Sequence, residues 1–529
     1  MKRRILALFL TGLMAVSSLV GCAGDQAEES GGTNEGSTAK EEQESTADQV
    51  QDDGNEASGE IVEIIWQFPM QSDVGEAFYR MEDALNEMME RDIGVRVRFE
   101  PTGLQESQND ATLMVSAGEQ LDICLTAFTS VGNLVDSGLV LPLDDLLEEY
   151  GQDIISHTEH LLGSCKYDNQ IYGVTTGNVN YTIQSYRMKK RFAEKYDCMP
   201  DDNKIYTLEE IEAIFDMIKT GEGDDFLCNV PWNNTYEPLN YSLMAYDKIG
   251  GDLSWGVLML ERDFTDTTIY NLFDTDEYAE YCDMMYRWAQ KGYISPDAAV
   301  TSDGPMDIIV RENVAGMFAG GVPKSEMMGA SSWGEEEVHF KVIDAFIAGG
   351  TTAIMWNIPI TSANPGKAVE ALNYIYKNKE AAWLIQFGFE GEEWEVVERD
   401  GDNVLVKYCS DIPGDLPYVN PYGIWGDRLE WPVFDPSPIN ISQMQREFQD
   451  SIPDSRKSPA IGYSFKSESV SSEIAAISTV IAQYAPSLNC GAIDPSKALP
   501  EFIDALNAAG IKKVIAENQR QFDEWLALQ

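Results

Sequence analysis

A strand, a helix and a second strand follow one another in residues 61–101, and this order constrains the fold more than any other feature. The run "EIVEIIWQFP" is apolar and β-branched, as expected for a buried strand. Apolar residues then recur at helical spacing, at Phe78, Met81, Leu85 and Met88. The run "GVRVRFEP" alternates apolar and polar residues, which indicates a second strand. Because such units build parallel sheets covered by helices, the sequence predicts an α/β body.

Further helices and strands alternate along the chain without an internal repeat. A helix is predicted over residues 106–117, and "DICLTAFTS" reads as the strand after it. Thr207, with Glu210 three positions later, has the pattern of a helix N-cap, and Gly510 marks a break between two C-terminal helices. A body of roughly 470 residues is too large for one hydrophobic core, so two domains are expected.

The N-terminus has the features of an exported lipoprotein. Residues 2–4 are basic and residues 5–20 are apolar, a run too short to span a bilayer, which needs about 20 residues. The run ends in "LVGC", which resembles the bacterial lipobox. The sequence therefore predicts a lipoprotein signal peptide at 1–21 and a lipid (palmitate) anchor on Cys22.

A polar, acidic stretch separates this cysteine from the body. Residues 22–60 contain almost no large apolar side chain, so they cannot offset the entropy cost of ordering. We expect a disordered acidic tether, with two or more acyl chains giving stable anchoring. The body is then expected on the extracytoplasmic face of the cell membrane.

The strongly acidic composition limits the possible partners. The formal net charge is -52, and such a field repels nucleic acid phosphates and anionic lipid head groups. We expect no nucleic acid partner and no peripheral binding to anionic membranes. A neutral or cationic small molecule is favoured.

Cysteine and histidine give no metal or cofactor motif. Besides Cys22 the chain has an odd number of cysteines without CxxC spacing: Cys124, Cys165, Cys198, Cys228, Cys282, Cys409 and Cys490. Most are expected to be small buried side chains, with a disulfide framework as the alternative. His157 and His160 in "HTEH" lack a third ligand and favour surface positions. Nucleotide, zinc-protease, serine-hydrolase and EF-hand patterns are absent from the sequence, so no cofactor is expected.

Several motifs, taken in chain order, resemble those of the family 1 extracellular solute-binding proteins that deliver ligands to ABC importers. The stretch "LMVSAGEQLDICLTAF" carries Gly118, Glu119 and Asp122 at matching places. The stretches "VDSGLVLPLDDLL", "IYGV", "TLEEIEAI", "WAQKGYISPDA" and "NVAGMFAGG" follow in the family's order, although Thr175 replaces the usual proline. "TSANPGKAVEALNYIY", "FGFEGEEWEV" and the C-terminal run from "SPAIGYSF" resemble the LipO-like lipoprotein subgroup.

The resemblance implies a two-lobed, periplasmic-binding-protein-like fold of type II, with a hinge and a ligand cleft. It implies a first lobe at 61–178 and 340–392. The second lobe is then 179–339 and 393–529, including the subgroup's C-terminal helical region. The family does no chemistry on its solute and passes it to ABC transporter permease subunits. We expect a monomer.

Candidate ligand contacts follow from the rule that ligands of open α/β sheets lie beyond the carboxyl ends of strands. Three loops follow predicted strands, at 67–73, 126–130 and 359–364. Aromatic faces stack on sugar rings while amides and hydroxyl groups bind sugar hydroxyls, which suits an oligosaccharide. The predicted ligand-binding residues are Trp66, Gln67, Phe68, Thr126, Phe128, Thr129, Trp232, Trp356, Trp394 and Trp425. For each tryptophan, a place in the core is the alternative. Glu119 and Asp122 precede their strand and are expected to be structural.

The sequence alone leaves two other functions open. A secreted glycoside hydrolase would also be acidic and aromatic-rich, with a catalytic pair of carboxylates. A ligand-sensing lipoprotein that signals through a membrane receptor needs the same closing cleft. The chain order of the motifs favours solute capture over hydrolysis, and the identity of the solute is not readable.

The anchor gives a first prediction. Because lipidation requires the sulfur of Cys22, Cys22→Ser should move the protein from the membrane fraction to the medium or leave an unprocessed precursor. Immunoblots of fractionated cells measure this. A processed, mature-length variant that still sediments with membranes would contradict the prediction.

Overall fold

A computed structural model describes the body of the chain with several gaps. The described residues are 61–70, 74–104, 106–127, 131–176, 179, 181–232, 245–249, 257–260, 264–329, 331, 333–349, 354–410, 416–420 and 422–529. The predicted signal peptide, Cys22, the predicted tether, Phe128 and Thr129 lie outside them.

The N-terminal half of the body alternates short strands with helices. In chain order its elements are β1 (Val62–Pro69), α1 (Glu76–Ile93), β2 (Val95–Thr102), α2 (Ser107–Ala117), β3 (Cys124–Ala127), α3 (Val131–Asp136), α4 (Asp144–Tyr150), α5 (Gln152–Leu162), β4 (Lys166–Tyr167), β5 (Gln170–Ile171), β6 (Val174–Thr175), β7 (Tyr181–Lys189), α6 (Lys190–Lys195), α7 (Leu208–Glu222), β8 (Tyr246–Asp247), β9 (Val257–Leu260) and β10 (Ile269–Asn271).

The C-terminal half is richer in helix. Its elements are α8 (Asp276–Gln290), α9 (Pro305–Arg311), β11 (Gly316–Gly320), β12 (Glu337–Ile347), β13 (Ile354–Asn357), α10 (Pro365–Lys377), α11 (Lys379–Phe387), β14 (Trp394–Asp400), β15 (Asn403–Tyr408), β16 (Val433–Phe434), α12 (Ile441–Ser451), α13 (Ser471–Asn489), α14 (Pro495–Ala509) and α15 (Ile511–Leu526).

The predicted strand–helix–strand unit is confirmed. β1 and β2 are parallel, and α1 connects them. The amide of Asn86 in α1 donates to Val97 O at 2.8 Å and accepts from Val97 N at 2.7 Å, which fixes the helix on the sheet. The inward face of α1 includes Phe78, Met81 and Leu85 as predicted, but its last buried methionine is Met89, because Met88 lies at the edge of the inward stripe.

A second sheet of the same lobe has the order β3-β13-β6. β1 joins it through a parallel bridge between Trp66 and Ile123. β13 runs antiparallel to both β3 and β6. The start of β13 therefore lies at the same edge as the carboxyl ends of its two neighbours.

The other lobe is built on the antiparallel sheet β11-β7-β12. Helix α7 begins with the predicted capping box, in which Thr207 and Glu210 each accept a hydrogen bond from the other's backbone N–H. The C-terminal helices α13 and α14 pack on α8, and α15 packs on α13, α14 and β10. Gly510 separates α14 from α15 with a φ of 100°, as the sequence predicted.

Two large apolar clusters form the cores of two lobes, so the body has the predicted two-lobed α/β fold. The first lobe packs around a cluster that includes Trp66, Phe99 and Leu372. The second lobe packs around a cluster that includes Phe215 and Trp288.

Packing shifts the predicted lobe boundaries at two places. Residues 340–347 were expected in the first lobe, but they lie in β12, which pairs with β7, and Phe340 belongs to the second core. Tyr418, Ile424 and Trp425 were expected in the second lobe, but they pack in the first core. The first shift arises because β12 continues up to the chain crossing. The second arises because β14 and β15 pack on Phe387 of α11, a helix of the first core, so the chain stays with the first lobe beyond residue 393.

The cysteines behave as small apolar side chains. All seven described cysteines are unbridged, and Cys124, Cys165, Cys228, Cys282 and Cys490 are buried. Burial raises the pKa of the Cys124 thiol to about 12, so this thiol stays protonated. In the described part of the chain, no helix is long and apolar enough to cross a membrane.

The first core yields a stability prediction. Trp356→Ala removes a fully buried ring and the hydrogen bond from its Nε1 to Ile424 O, which is 3.0 Å long. We expect the free energy of unfolding to fall by about 3–5 kcal/mol. The control is Tyr79→Ala, at a ring 54% exposed, which should change it by less than about 1 kcal/mol. Equal unfolding curves for the two variants in denaturant titrations would contradict this packing.

Candidate functional site

The candidate site lies where the chain crosses between the lobes. β6 ends at Thr175 and β7 begins at Tyr181, while β12 ends at Ile347 and β13 begins at Ile354. β6 pairs with β13, and β7 pairs with β12, so the two crossings run side by side. Because both connections are short, one edge of the first-lobe sheet lies close to one edge of the second-lobe sheet.

The wall from the first lobe is the carboxyl edge of three strands. β1 and β3 run in the same direction and end at Pro69 and Ala127, beside the start of β13. Thr176 follows β6 at this edge and is 6% exposed. Its N–H donates to Ile354 O at 3.3 Å, which ties the first crossing to the second. This edge is where an α/β sheet binds its ligand.

The wall from the second lobe is the end of β11 and the start of β7, which runs antiparallel to it. Gly320 pairs with Gln184, and the N–H of Gly321 donates to Ile183 O at 2.9 Å. A Cβ on Gly321 would collide with Ser185 Oγ. Glycine is therefore needed here because the backbone lies directly on β7.

Four predicted stacking rings lie instead in the core of the first lobe. Trp66, Phe68, Trp356 and Trp425 are each 0% exposed, with ring centroids 4.8–5.5 Å apart in the contacting pairs. A ring with no exposed surface cannot stack on a sugar, so the prediction is wrong for these four in this structure. The reason is strand length: β1 continues to Pro69, so Trp66 and Phe68 lie within a strand buried on both faces.

Gln67 and Thr126 are also structural. The side chain of Gln67 is buried, donates to Ser107 O at 3.0 Å and accepts from Leu125 N at 3.0 Å, which joins β1, α2 and β3. The hydroxyl of Thr126 donates to Asn357 Oδ1 at 2.5 Å. Both polar groups are satisfied inside the protein, so their predicted role in ligand binding is corrected to one in the sheet.

Of the two remaining predicted tryptophans, one is buried and the other is half-buried. Trp394 is 4% exposed and packs in a small cluster with Trp383, with its Nε1 donating to Gly388 O at 3.2 Å. Trp232 is half-buried, and its Nε1 donates to Phe318 O at 2.9 Å. Since Phe318 lies in β11 two residues before Gly320, Trp232 sits beside the second-lobe wall. Its role in ligand binding stays a prediction.

The predicted loop at 359–364 lies at the opposite end of the sheet. β13 is antiparallel to β3, so its carboxyl end meets the start of β3. There Ser362 Oγ and Ala363 N donate to Asp122 Oδ1 at 2.7 Å and 2.9 Å. Asp122 also accepts from Ile65 N at 3.0 Å, so the prediction that Asp122 is structural is confirmed.

Sequence reasoning missed Thr176, which ties the two crossings together, and Gly321, which holds the end of β11 on β7. The signals were present but weak. The repeated threonine in "GVTTG" stands where the family has a proline, and the paired glycines in "AGG" end a strand. Neither pattern indicates a ligand-binding site until the order and direction of the strands are known.

A cavity of about 550 Å³ lies between the turn of the β4–β5 hairpin and the C-terminal helices. Lys466 Nζ bridges it by an ion pair with Asp168 Oδ2 at 2.7 Å. On its other side, Arg520 pairs with Glu517 and Glu524, each at 2.7 Å. These charged groups already bind one another. We therefore interpret the cavity as a gap in the packing between the first lobe and the C-terminal helices, not as a ligand site.

One cluster in the described part of the chain has metal-ligand composition: His157, Asp427 and Glu430. His157 Nδ1 lies 2.9 Å from Asp427 Oδ2. Arg446 contributes a positive charge, with its Nη2 3.1 Å from Asp427 Oδ2 and 2.7 Å from Glu430 Oε1. The guanidinium already pairs with both carboxylates, so the cluster is an ion-pair network.

Comparison with known proteins identifies relatives of this architecture. A family model described as "Bacterial extracellular solute-binding protein" matches residues 83–382, more than half of the chain. A second model, a domain of unknown function, matches residues 459–527. A carbohydrate ABC transporter substrate-binding protein of Streptococcus pneumoniae serotype 4 is 24% identical over 456 residues, covering 83% of this chain and 87% of that protein.

Solved structures with the same fold include carbohydrate-binding proteins. The N-glycan transport solute-binding protein of Streptococcus pneumoniae superposes with a TM-score of 0.73 at 18% identity, covering 89% of this chain and 99% of that chain. Its complex with Man1GlcNAc gives a TM-score of 0.68, with 100% of that chain covered. A human-milk-oligosaccharide-binding protein of Bifidobacterium longum infantis gives 0.62 at 14% identity, covering 89% and 100% of the two chains.

The ion-pair network gives a prediction about pH. The hydrogen bond to Asp427 raises the pKa of His157; burial opposes ionisation of Asp427, but its bond with His157 lowers the pKa of that carboxyl. Because the pKa of His157 is raised in the folded state, its protonated form stabilises the fold. This contribution is fully present below about pH 6.5, the ordinary histidine pKa, and is lost as pH rises through the raised pKa of the folded state. We expect His157→Gln to lower Tm most near about pH 6, with the difference shrinking in alkaline buffer.

Thermal melts between about pH 5.5 and pH 9 measure this difference. His160→Gln is the control, because His160 is exposed on the same helix. A Tm difference for His157→Gln that stays constant across this range would show that the imidazolium does not stabilise the fold.

Proposed function

This chain belongs to the bacterial extracellular solute-binding proteins, and we propose that it captures an oligosaccharide between its two lobes and delivers it to an ABC transporter permease. The proposal rests mainly on one observation: an edge of the first-lobe sheet and an edge of the second-lobe sheet lie close together at the two neighbouring chain crossings. Membership of this family also means that the protein binds its solute and does not transform it.

The geometry supports a cleft that closes. The two crossings, after β6 and after β12, are the short connections on which the lobes can rotate. Rotation brings the carboxyl edge of the first-lobe strands toward the end of β11. A solute held at both walls stabilises the closed state because it gains contacts there that the open state lacks.

The chemistry of the walls supports a neutral, hydroxylated ligand. Trp232 offers an aromatic surface beside the second-lobe wall, and the strand ends of both lobes offer backbone N–H and C=O groups. The net charge of -52 disfavours anionic solutes. The relatives whose names include a carbohydrate or an N-glycan agree with this class of ligand.

Members of this family act outside the cytoplasm, and for this chain we propose a lipid anchor on Cys22. The lipobox-like "LVGC" and the acidic stretch after it support this arrangement. The acyl chains would hold the body near the permease, with residues 22–60 as a tether. The proposed monomer would present one surface from each lobe to the permease subunits.

Binding of a defined glycan tests the proposal. Detergent-solubilised mature protein is titrated calorimetrically with a panel of neutral oligosaccharides that includes Man1GlcNAc and Man5GlcNAc. We expect binding to at least one member, with Trp232→Ala raising Kd about thirtyfold, since loss of one stacking ring costs about 2 kcal/mol.

The matched control is Trp356→Ala, which removes a core ring. It should lower the apo Tm and leave the Kd of the folded protein unchanged. Failure of every oligosaccharide to bind would contradict the proposed function. An unchanged Kd for Trp232→Ala would remove Trp232 from the site.

A further inference from the structure

A second cavity, of about 180 Å³, lies in the second lobe and has a buried amide in its lining. Its walls come from the segment at 227–231, the turn at 295–303 after α8, and α9. Asn229 lines it and is 2% exposed. Its backbone N–H donates to Tyr293 O at 3.1 Å, which fixes the position of the residue.

The carbonyl oxygen of the Asn229 side chain lacks a hydrogen-bond partner among the described residues. This atom, Oδ1, is buried. Leaving a buried carbonyl oxygen without a donor is unfavourable, and native proteins seldom do so without a ligand or solvent partner. Because Asn229 lines the cavity, its amide oxygen is the acceptor that a hydrogen-bond donor placed there could use.

The cavity is separate from the candidate site at the crossings. Asn229 bridges to Gly316, the first residue of β11, whereas Gly320 at the other end of that strand forms the second-lobe wall. Four residues of strand separate these positions by roughly 13 Å. Nothing in the proposed transport cycle uses this cavity.

Size and lining indicate the class of ligand. A cavity of about 150 Å³ can hold a benzene ring, so this one has room for a single pyranose-sized ring. Pro231, Pro305 and Ile308 supply apolar wall, while Ser295 and Thr301 supply hydroxyl groups. This mixture suits a small molecule with apolar C–H faces and several hydroxyl groups.

The charges at the rim exclude anions. Arg311 is already paired, with its Nη2 2.6 Å from Asp303 Oδ2 and 3.2 Å from Glu312 Oε1. The exposed carboxylate of Asp297 adds a further negative charge to the lining. A carboxylated sugar would therefore meet net repulsion.

We propose that this cavity is a second binding site, which takes one neutral sugar of monosaccharide size. Asn229 Oδ1 accepts a hydrogen bond from a ligand hydroxyl. The site goes beyond the proposed function, since it takes a single ring in a cavity distinct from the sheet edges at the crossings.

The test uses mature protein with Asn229→Leu, which replaces the amide by an apolar side chain of similar size. Saturation-transfer NMR is recorded with mannose, galactose, glucose and N-acetylglucosamine, and with glucuronate as the anionic probe. All spectra are compared with the parent protein that keeps Trp232, because Trp232 packs with the lining residues Val230 and Ile308. We expect transfer to at least one neutral sugar, none to glucuronate, and loss of transfer in Asn229→Leu. The apo Tm of Asn229→Leu should be equal to or higher than that of the parent, because an unsatisfied group has been removed.

Asn86→Leu is the matched control. It makes the same substitution at a buried asparagine whose amide is fully bonded to Val97, so it should lower the apo Tm and leave the sugar signal of the folded protein intact. Thr301→Trp, at the half-buried lining of the cavity, should abolish the signal without touching Asn229.

Two results would overturn the proposal. One is transfer to no monosaccharide, which means that solvent alone satisfies Asn229. The other is transfer that persists in both Asn229→Leu and Thr301→Trp. Neither result affects the oligosaccharide titration at the crossings, so failure of this site and failure of the proposed function are distinguishable.

Discussion

The packing of Trp66, Trp356 and Trp425 is the constraint on which the first lobe depends. These rings come from β1, from β13 after the second crossing, and from a segment almost 70 residues further along the chain. Their centroids are 4.9–5.5 Å apart, and Trp356 Nε1 donates to Ile424 O. The lobe is complete only when all three segments have arrived, so the chain must cross back from the second lobe to finish the first.

This requirement explains why the crossings are paired and where the site lies. β13 must enter the first-lobe sheet antiparallel to β3 to bring Trp356 into the core. Its start then falls at the carboxyl edge of β1 and β3, and β12 must end at the matching edge of the other sheet. Helix α12 contacts both lobes. Its Arg446 binds Asp427 beside the first core, and the ring centroid of its Phe448 lies 5.1 Å from that of Tyr181 at the start of β7.

The local elements were predictable from the sequence because they depend on residues close together in the chain. The capping box at Thr207, the helix end at Gly510 and the parallel unit at the N-terminus are of this kind. The roles of the aromatic residues were not predictable in the same way. Trp66 and Trp356 read equally well as strand residues or as loop contacts until the ends of β1 and β13 are known. The direction of β13, which moved the loop at 359–364 away from the site, depends on a pairing more than 200 residues apart in sequence.

The buried amides of this chain differ in whether their polar groups find partners inside the protein. Gln67 and Asn86 are buried amides whose oxygens and nitrogens bind neighbouring backbone, and they hold elements together. Asn229 is as well buried, yet its oxygen has no donor in the described part of the chain. In the described part of the chain, Trp66 Nε1 and Trp425 Nε1 are also buried without a partner, so a missing partner alone does not mark a site. At Asn229 the adjoining cavity is the second observation that supports a ligand. Complete burial places four of the predicted rings in the core, whereas Trp232 keeps exposed surface and donates to Phe318 O in β11.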